Sequence, residues 1–77
     1  MTRGEFLRTL EGELEMPEGS LNENQALADL DGWDSMAAVL FIALADEKAG
    51  VIVSGDQIAK SKTLNELLSL LGDKLAP

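Results

Sequence analysis

The sequence predicts an all-α fold, a small antiparallel bundle of three main helices plus one short helix. Three observations carry that expectation. Apolar residues recur at i, i+3 and i+4 spacing through most of the chain. β-branched residues cluster only at Val51-Ile52-Val53, too few to found a sheet. Ser/Thr-x-x-Glu/Gln tetrapeptides, the pattern of a helix-opening capping box, stand ahead of the periodic stretches.

The first helix is expected over residues 2–16. Thr2-Arg3-Gly4-Glu5 has the capping-box form, Phe6, Leu7, Leu10 and Leu14 make one apolar face, and Pro17 and Gly19 close it. A long connection over 17–34 follows; in so small a domain such a stretch is functional or packed by its own side chains. Within it, Ser20-Leu21-Asn22-Glu23 reads as another capping box for one helical turn. Leu21, Leu27 and Leu30 can pin the connection to the core, and Asp31-Gly32 marks a turn before Trp33. The second helix is expected over 35–49, capped by Asp34 or Ser35 and stopped by Gly50. Ser54-Gly55-Asp56-Gln57 opens a short helix over 55–60. Thr63-Leu64-Asn65-Glu66 caps the last, over 63–74, with Leu64, Leu67, Leu68 and Leu71 as its stripe and Gly72 near a frayed end. The expectation is a single domain, 1–77, with no internal repeat and no low-complexity tract.

Composition removes whole classes of chemistry. The 77 residues contain no Cys, hence no disulfide, thiolate nucleophile or zinc–thiolate site. They contain no His, the commonest general base and metal ligand. Fourteen acids against six bases leave a net charge of -8, which disfavours nucleic acid as a partner and favours proteins with basic patches. Solubility alone is an equally good account of the acidity. The N-terminal residues lack the apolar run of a signal peptide, and the longest apolar run, 37–45, is far too short to span a bilayer. A cytoplasmic protein without membrane partners is expected, and a monomer.

Placed on a wheel at about 100° per residue, the second helix has one apolar face too many. Ala38, Phe41, Ile42, Ala45 and Ala49 suit burial, yet Met36, Val39, Leu40 and Ala43 form a second apolar stripe before Asp46-Glu47 brings charge. A surface helix is polar on its outer side, so the stripe reads as a contact surface for a partner, one that could also support a weak dimer. The competing accounts are that the long connection folds over it or that this is the most central helix. The stripe begins beside Ser35. That serine fails as a hydrolase nucleophile, since no His can activate it and no G-x-S-x-G elbow surrounds it. It reads either as a plain helix cap or as an attachment point, exposed at a helix N-terminus that favours an added phosphodiester.

The run Leu30-Asp31-Gly32-Trp33-Asp34-Ser35-Met36 resembles the signature of the acyl carrier protein family. Ala45-Asp46-Glu47-Lys48-Ala49-Gly50-Val51-Ile52-Val53 is similar to that family's acidic helix end, glycine and apolar segment, and Thr63-Leu64-Asn65-Glu66-Leu67 to the start of its last helix. The likeness covers about residues 13–71. It implies that Ser35 receives 4'-phosphopantetheine from coenzyme A through a phosphopantetheinyl transferase. The arm's thiol would then hold an acyl or aminoacyl thioester, making the protein a carrier and not an enzyme. Further implied partners are an acyl- or aminoacyl-activating ligase and acyl-transfer enzymes. They would meet Asp34, Met36, Val39, Leu40, Ala43 and Glu47, with cargo lying along Phe41, Ile42 and Leu68.

The departures from the family pattern are specific. Ala37 and Leu40 stand where fatty acid carriers place acids, Met36 replaces a Leu, and Trp33 replaces a small residue, as packing for the loop or as docking rim. These features point to a specialised carrier; peptidyl and D-alanyl carriers remain alternatives within the class. An unmodified helical interaction module using the stripe is the alternative outside it.

Overall fold

The computed structural model describes residues 1–30 and 33–76 and is all-α, with four α-helices. Helix α1 is Arg3–Glu13, α2 is Ser35–Leu44 continued by a wide π turn at Ala45–Ala49, α3 is Gly55–Lys60 and α4 is Leu64–Ser69. Short 3₁₀ turns occupy Leu27–Asp29 and Gly72–Lys74. The turn expected at Asp31-Gly32 lies outside the described residues.

Three of the Ser/Thr-x-x-Glu/Gln tetrapeptides form capping boxes. Thr2 with Glu5 opens α1, Ser54 with Gln57 opens α3 and Thr63 with Glu66 opens α4. The fourth does not. Ser20 Oγ donates to the Pro17 carbonyl at 2.6 Å, and Asn22 pairs its N–H with Gln25 Oε1 at 2.9 Å. Glu23 is drawn off by the Arg3 guanidinium, so the helical turn forms later, at Leu27. A capping box competes with every other donor in reach, and here a cation wins.

α1 ends before Met16. The Met16 N–H donates to the Glu11 carbonyl at 2.9 Å and the Glu15 N–H to that of Gly12 at 3.2 Å, the paired bonds of a Schellman turn. Glu15 takes the left-handed position that glycine usually holds, at φ 58°, while Gly12 sits within the helix. Pro17 and Gly19 therefore follow the stop and do not cause it. α4 is also shorter than its leucine stripe. It gives way to i→i+3 bonds at Leu70 and Leu71 and to Gly72 at φ 57°, yet Leu71 and Leu75 remain buried.

The core joins every helix. Phe6, Leu7 and Leu10 of α1 meet Phe41 and Leu44 of α2, Ile58 of α3 and Leu64, Leu67 and Leu68 of α4. The Phe6 and Phe41 rings touch edge to face, centroids 5.6 Å apart and planes at 74°.

The long connection is tied down at several points. Leu21 is buried, and both of its backbone groups are held from α1: its N–H donates to Glu11 Oε2 at 2.7 Å, and its carbonyl accepts from Arg8 at 2.8 Å. Glu11 is 1% exposed, and its Oε1 lies 2.8 Å from Arg8 Nε, an ionic contact without hydrogen-bond alignment. Further on, the Asn65 N–H donates to the Glu23 carbonyl at 2.8 Å, Leu64 N–H to Gln25 at 3.1 Å, and Leu27 N–H to Lys62 at 2.8 Å. The connection thus lies along the start of α4. The chain ends meet as well, where Arg3 N–H donates to the Ala76 carbonyl at 2.9 Å.

Two predictions follow from these contacts. Glu11→Ala strands the buried Leu21 N–H and is expected to lower unfolding free energy by about 2 kcal/mol, with Glu11→Gln costing less because its amide oxygen still accepts; urea midpoints of the two variants check this. Glu5 and Glu66 are held below the ordinary carboxyl value of 4.5, Glu5 by the Thr2 N–H and hydroxyl, Glu66 by the Lys62 and Thr63 N–H groups. Carboxyls lowered by folding stabilise above their unfolded value, and that contribution is lost as pH falls through the folded value. Melting temperature between about pH 6 and pH 3 should therefore fall more in the wild type than in a Glu5→Gln/Glu66→Gln variant, the comparison removing the effect of general charge neutralisation.

Candidate functional site

The head of α2 is set by Asp34. Its backbone is extended, and its Oδ1 accepts from the Ala37 N–H at 3.0 Å, while its carbonyl accepts from Ala38 at 3.1 Å. Asp34 is the cap, and Ser35 is the first residue of the helix proper. The serine is thereby released from any capping duty. It is exposed, and its hydroxyl has no hydrogen-bond partner among the described residues. The other four serines all spend theirs: Ser20 on Pro17, Ser54 on Gln57, Ser61 on the Gln57 carbonyl and Ser69 on that of Asn65.

Beyond Ser35, α2 turns a mixed set of residues to solvent. Met36 is 71% exposed and Val39 62%; Ala43 and Glu47 are exposed too, and Leu40 is half-buried. The buried face is rotated from the one the wheel favours. Ala37 and Leu44 are buried with Phe41 and Ala45, whereas Ala38, Ile42 and Ala49 are half-buried at its edge. One expectation needs correction. Ala37 is fully buried, so its lack of charge reflects the core and says nothing about docking. Phe41 and Leu68 are fully buried core residues, and Ile42 is half-buried at the edge of the same core.

The sequence reading overlooked Ile52. It lies in the link between α2 and α3 and is 79% exposed, while its neighbour Val53 is buried. The run Val51-Ile52-Val53 was the available signal: three β-branched residues in a row favour a strand-like segment, which turns successive side chains to opposite sides. Exposed carboxylates surround this region in sequence, at Asp34, Asp46, Glu47 and Asp56, with Lys48 Nζ 3.8 Å from Glu47. Trp33 is half-buried against the core, so packing engages part of its indole. No cluster suited to a metal ion occurs among the described residues, and no described helix is long and apolar enough to cross a membrane.

A family model described as a phosphopantetheine attachment site matches residues 5–71. The chain belongs to this family. Its domain is the site of covalent 4'-phosphopantetheine attachment, which brings it to a phosphopantetheinyl transferase and to acyl-handling enzymes. Domains of this family are generally carriers without catalysis of their own. No curated protein and no solved structure matches the chain significantly.

The residues at the head of α2 fit such a group. Attachment requires a hydroxyl that is exposed and not already bonded, and an environment that tolerates a phosphodiester; α2 supplies the positive end of its dipole and the unsatisfied N–H groups of a first turn. The division of labour between Asp34 and Ser35 has a measurable consequence. Asp34→Ala is expected to destabilise the fold by about 1 kcal/mol through loss of the cap. Ser35→Ala should change stability by less than about 0.5 kcal/mol. Denaturant unfolding of the two variants would reverse this order if Ser35 were the cap.

Proposed function

We propose that Ser35 is the residue that carries the phosphopantetheine arm, and that the protein is a specialised acyl or aminoacyl carrier. The observation behind this is the exposed Ser35 hydroxyl at the head of α2, without a hydrogen-bond partner among the described residues, in a chain whose other serine hydroxyls are all engaged. In the modification, Ser35 Oγ attacks the phosphorus bearing the pantetheine of coenzyme A. An Oγ–P bond forms, the diphosphate P–O bond breaks, and adenosine 3',5'-bisphosphate leaves. The hydroxyl proton passes to a base on the transferase, since this chain offers no His. The arm then supplies the thiol the sequence lacks, and an acyl group held on it as a thioester can be presented at high effective concentration to a docked enzyme.

Partners meet the surface made by Asp34, Met36, Val39, Leu40, Ala43 and Glu47, with Ile52 adding apolar area beside it in sequence. Met36 and Val39 offer apolar contact, and the neighbouring carboxylates favour partners with a basic rim. Coenzyme A dependence suits a cytoplasmic setting.

Incubation of the folded protein with coenzyme A and a broad-specificity transferase is expected to add the mass of one phosphopantetheine, and Ser35→Ala to abolish the addition. Absence of any mass shift, with a control carrier modified in parallel, would overturn the proposal. Stable capture of one protein by the unmodified chain would then favour the interaction module.

A further inference from the structure

Ser35 stands at the end of the 17–34 connection, and the inference drawn from that position rests on the carrier reading of this serine. Among the described residues, the regular structure of the connection amounts to the 3₁₀ turn at Leu27–Asp29. A segment of this kind opens locally more readily than a packed helix unless contacts fasten it.

The fastening is concentrated at the start of α4. A helix begins with N–H groups that have no partner inside it. In α4 the Thr63 hydroxyl accepts from the Glu66 N–H at 3.2 Å, and the two preceding groups go to the connection. Leu64 N–H donates to the Gln25 carbonyl at 3.1 Å and Asn65 N–H to the Glu23 carbonyl at 2.8 Å. The connection thus completes the cap of α4.

Arg3 closes this arrangement from a third element. Its guanidinium donates both to the Glu23 carboxylate and to the side-chain oxygen of Asn65, and its backbone N–H is held by the Ala76 carbonyl at 2.9 Å. The Arg3 and Glu23 side chains are 23% and 42% exposed, so salt screens the pair less than a fully exposed one. A rigid fork that reaches two acceptors at once is a property of Arg that Lys lacks. A series of hydrogen bonds leads onward from the clasp to Ser35. Leu27 N–H donates to the Lys62 carbonyl at 2.8 Å, Leu30 N–H to the Leu27 carbonyl at 3.2 Å and Trp33 N–H to the Leu30 carbonyl at 3.3 Å. The next residue, Asp34, caps α2.

The geometry points to Arg3 as a positioning residue for the modification of Ser35. It pins the connection to α4 and so limits the conformations in which Asp34 and Ser35 reach the head of α2. Arg3 acts through Glu23. Where a smaller fraction of molecules presents the competent arrangement, apparent affinity falls by that fraction while the bound complex reacts as before. The expected signature is a raised KM with an unchanged kcat.

The test measures the kinetics of a broad-specificity phosphopantetheinyl transferase with coenzyme A and the full chain as acceptor. Arg3→Ala and Arg3→Lys should each raise KM for the protein about fivefold, with kcat within about twofold of wild type. Hydrogen exchange read by NMR should quicken at the Leu27, Leu64 and Asn65 amides and not at the Leu10 amide of α1. The reversed pair, Arg3→Glu with Glu23→Arg, should return KM towards wild type, which Glu23→Arg alone should not. Ser54→Ala is the control: it removes the cap of α3, which the series does not include, and should leave KM unchanged. Should Arg3→Ala fail to fold, Glu23→Gln takes its place. KM unmoved by loss of the Arg3–Glu23 pair, or moved as far by Ser54→Ala, would overturn the inference, as would a reversed pair no better than Glu23→Arg. Each of these outcomes leaves the carrier reading standing. A wild type that takes up no phosphopantetheine would remove that reading, and this inference with it.

Discussion

The contact of Phe41 with Phe6 governs the rest of the molecule because it sets the rotation of α2. Every residue of that helix after Ser35 is apolar, so its own polarity cannot choose which side turns inward. Size can. Phe41 is the largest side chain on α2, and it is fully buried against Phe6, where its large apolar area is removed from water. Once it is in, Ala37, Leu44 and Ala45 follow into the core, and Met36, Val39 and Ala43 are left in water. The apolar surface beside Ser35 is thus the by-product of a helix that has more apolar residues than the core can take.

A second constraint holds the long connection, which in a domain of 77 residues would otherwise be costly in entropy. It is fastened through its backbone to Glu11 and Arg8 of α1 and to the start of α4. Backbone fastening requires only that the side chains reach and the strands of chain lie close. The segment can therefore deliver Asp34 to the head of α2 without forming a regular element of its own. Asp34 then takes the cap, and the adjacent serine has no hydrogen-bond partner among the described residues.

Much of this was legible in the sequence. The capping tetrapeptides at Thr2, Ser54 and Thr63 mark helix starts because their partners lie within the same few residues, where local chemistry decides. The stretch around Ser35 was readable for the same reason: a motif is local. The tetrapeptide at Ser20 misled because Glu23 finds Arg3, which is distant in sequence and close in the fold. The end of α1 was misplaced because Glu15 adopts the left-handed turn that composition reserves for glycine. Ile52 was missed because a wheel drawn for a helix does not extend into the link that follows it.

By itself, the sequence determined that the chain is helical, where three of its helices begin, which chemistries it lacks, and that Ser35 stands at the head of the second helix. These depend on neighbours along the chain. Tertiary structure alone decided that Asp34 rather than Ser35 is the cap and which face of α2 is buried. Both faces of α2 are apolar, and both Asp34 and Ser35 are competent caps. Where local preferences tie in this way, the choice passes to contacts between residues far apart in sequence, above all to the two rings that meet in the core.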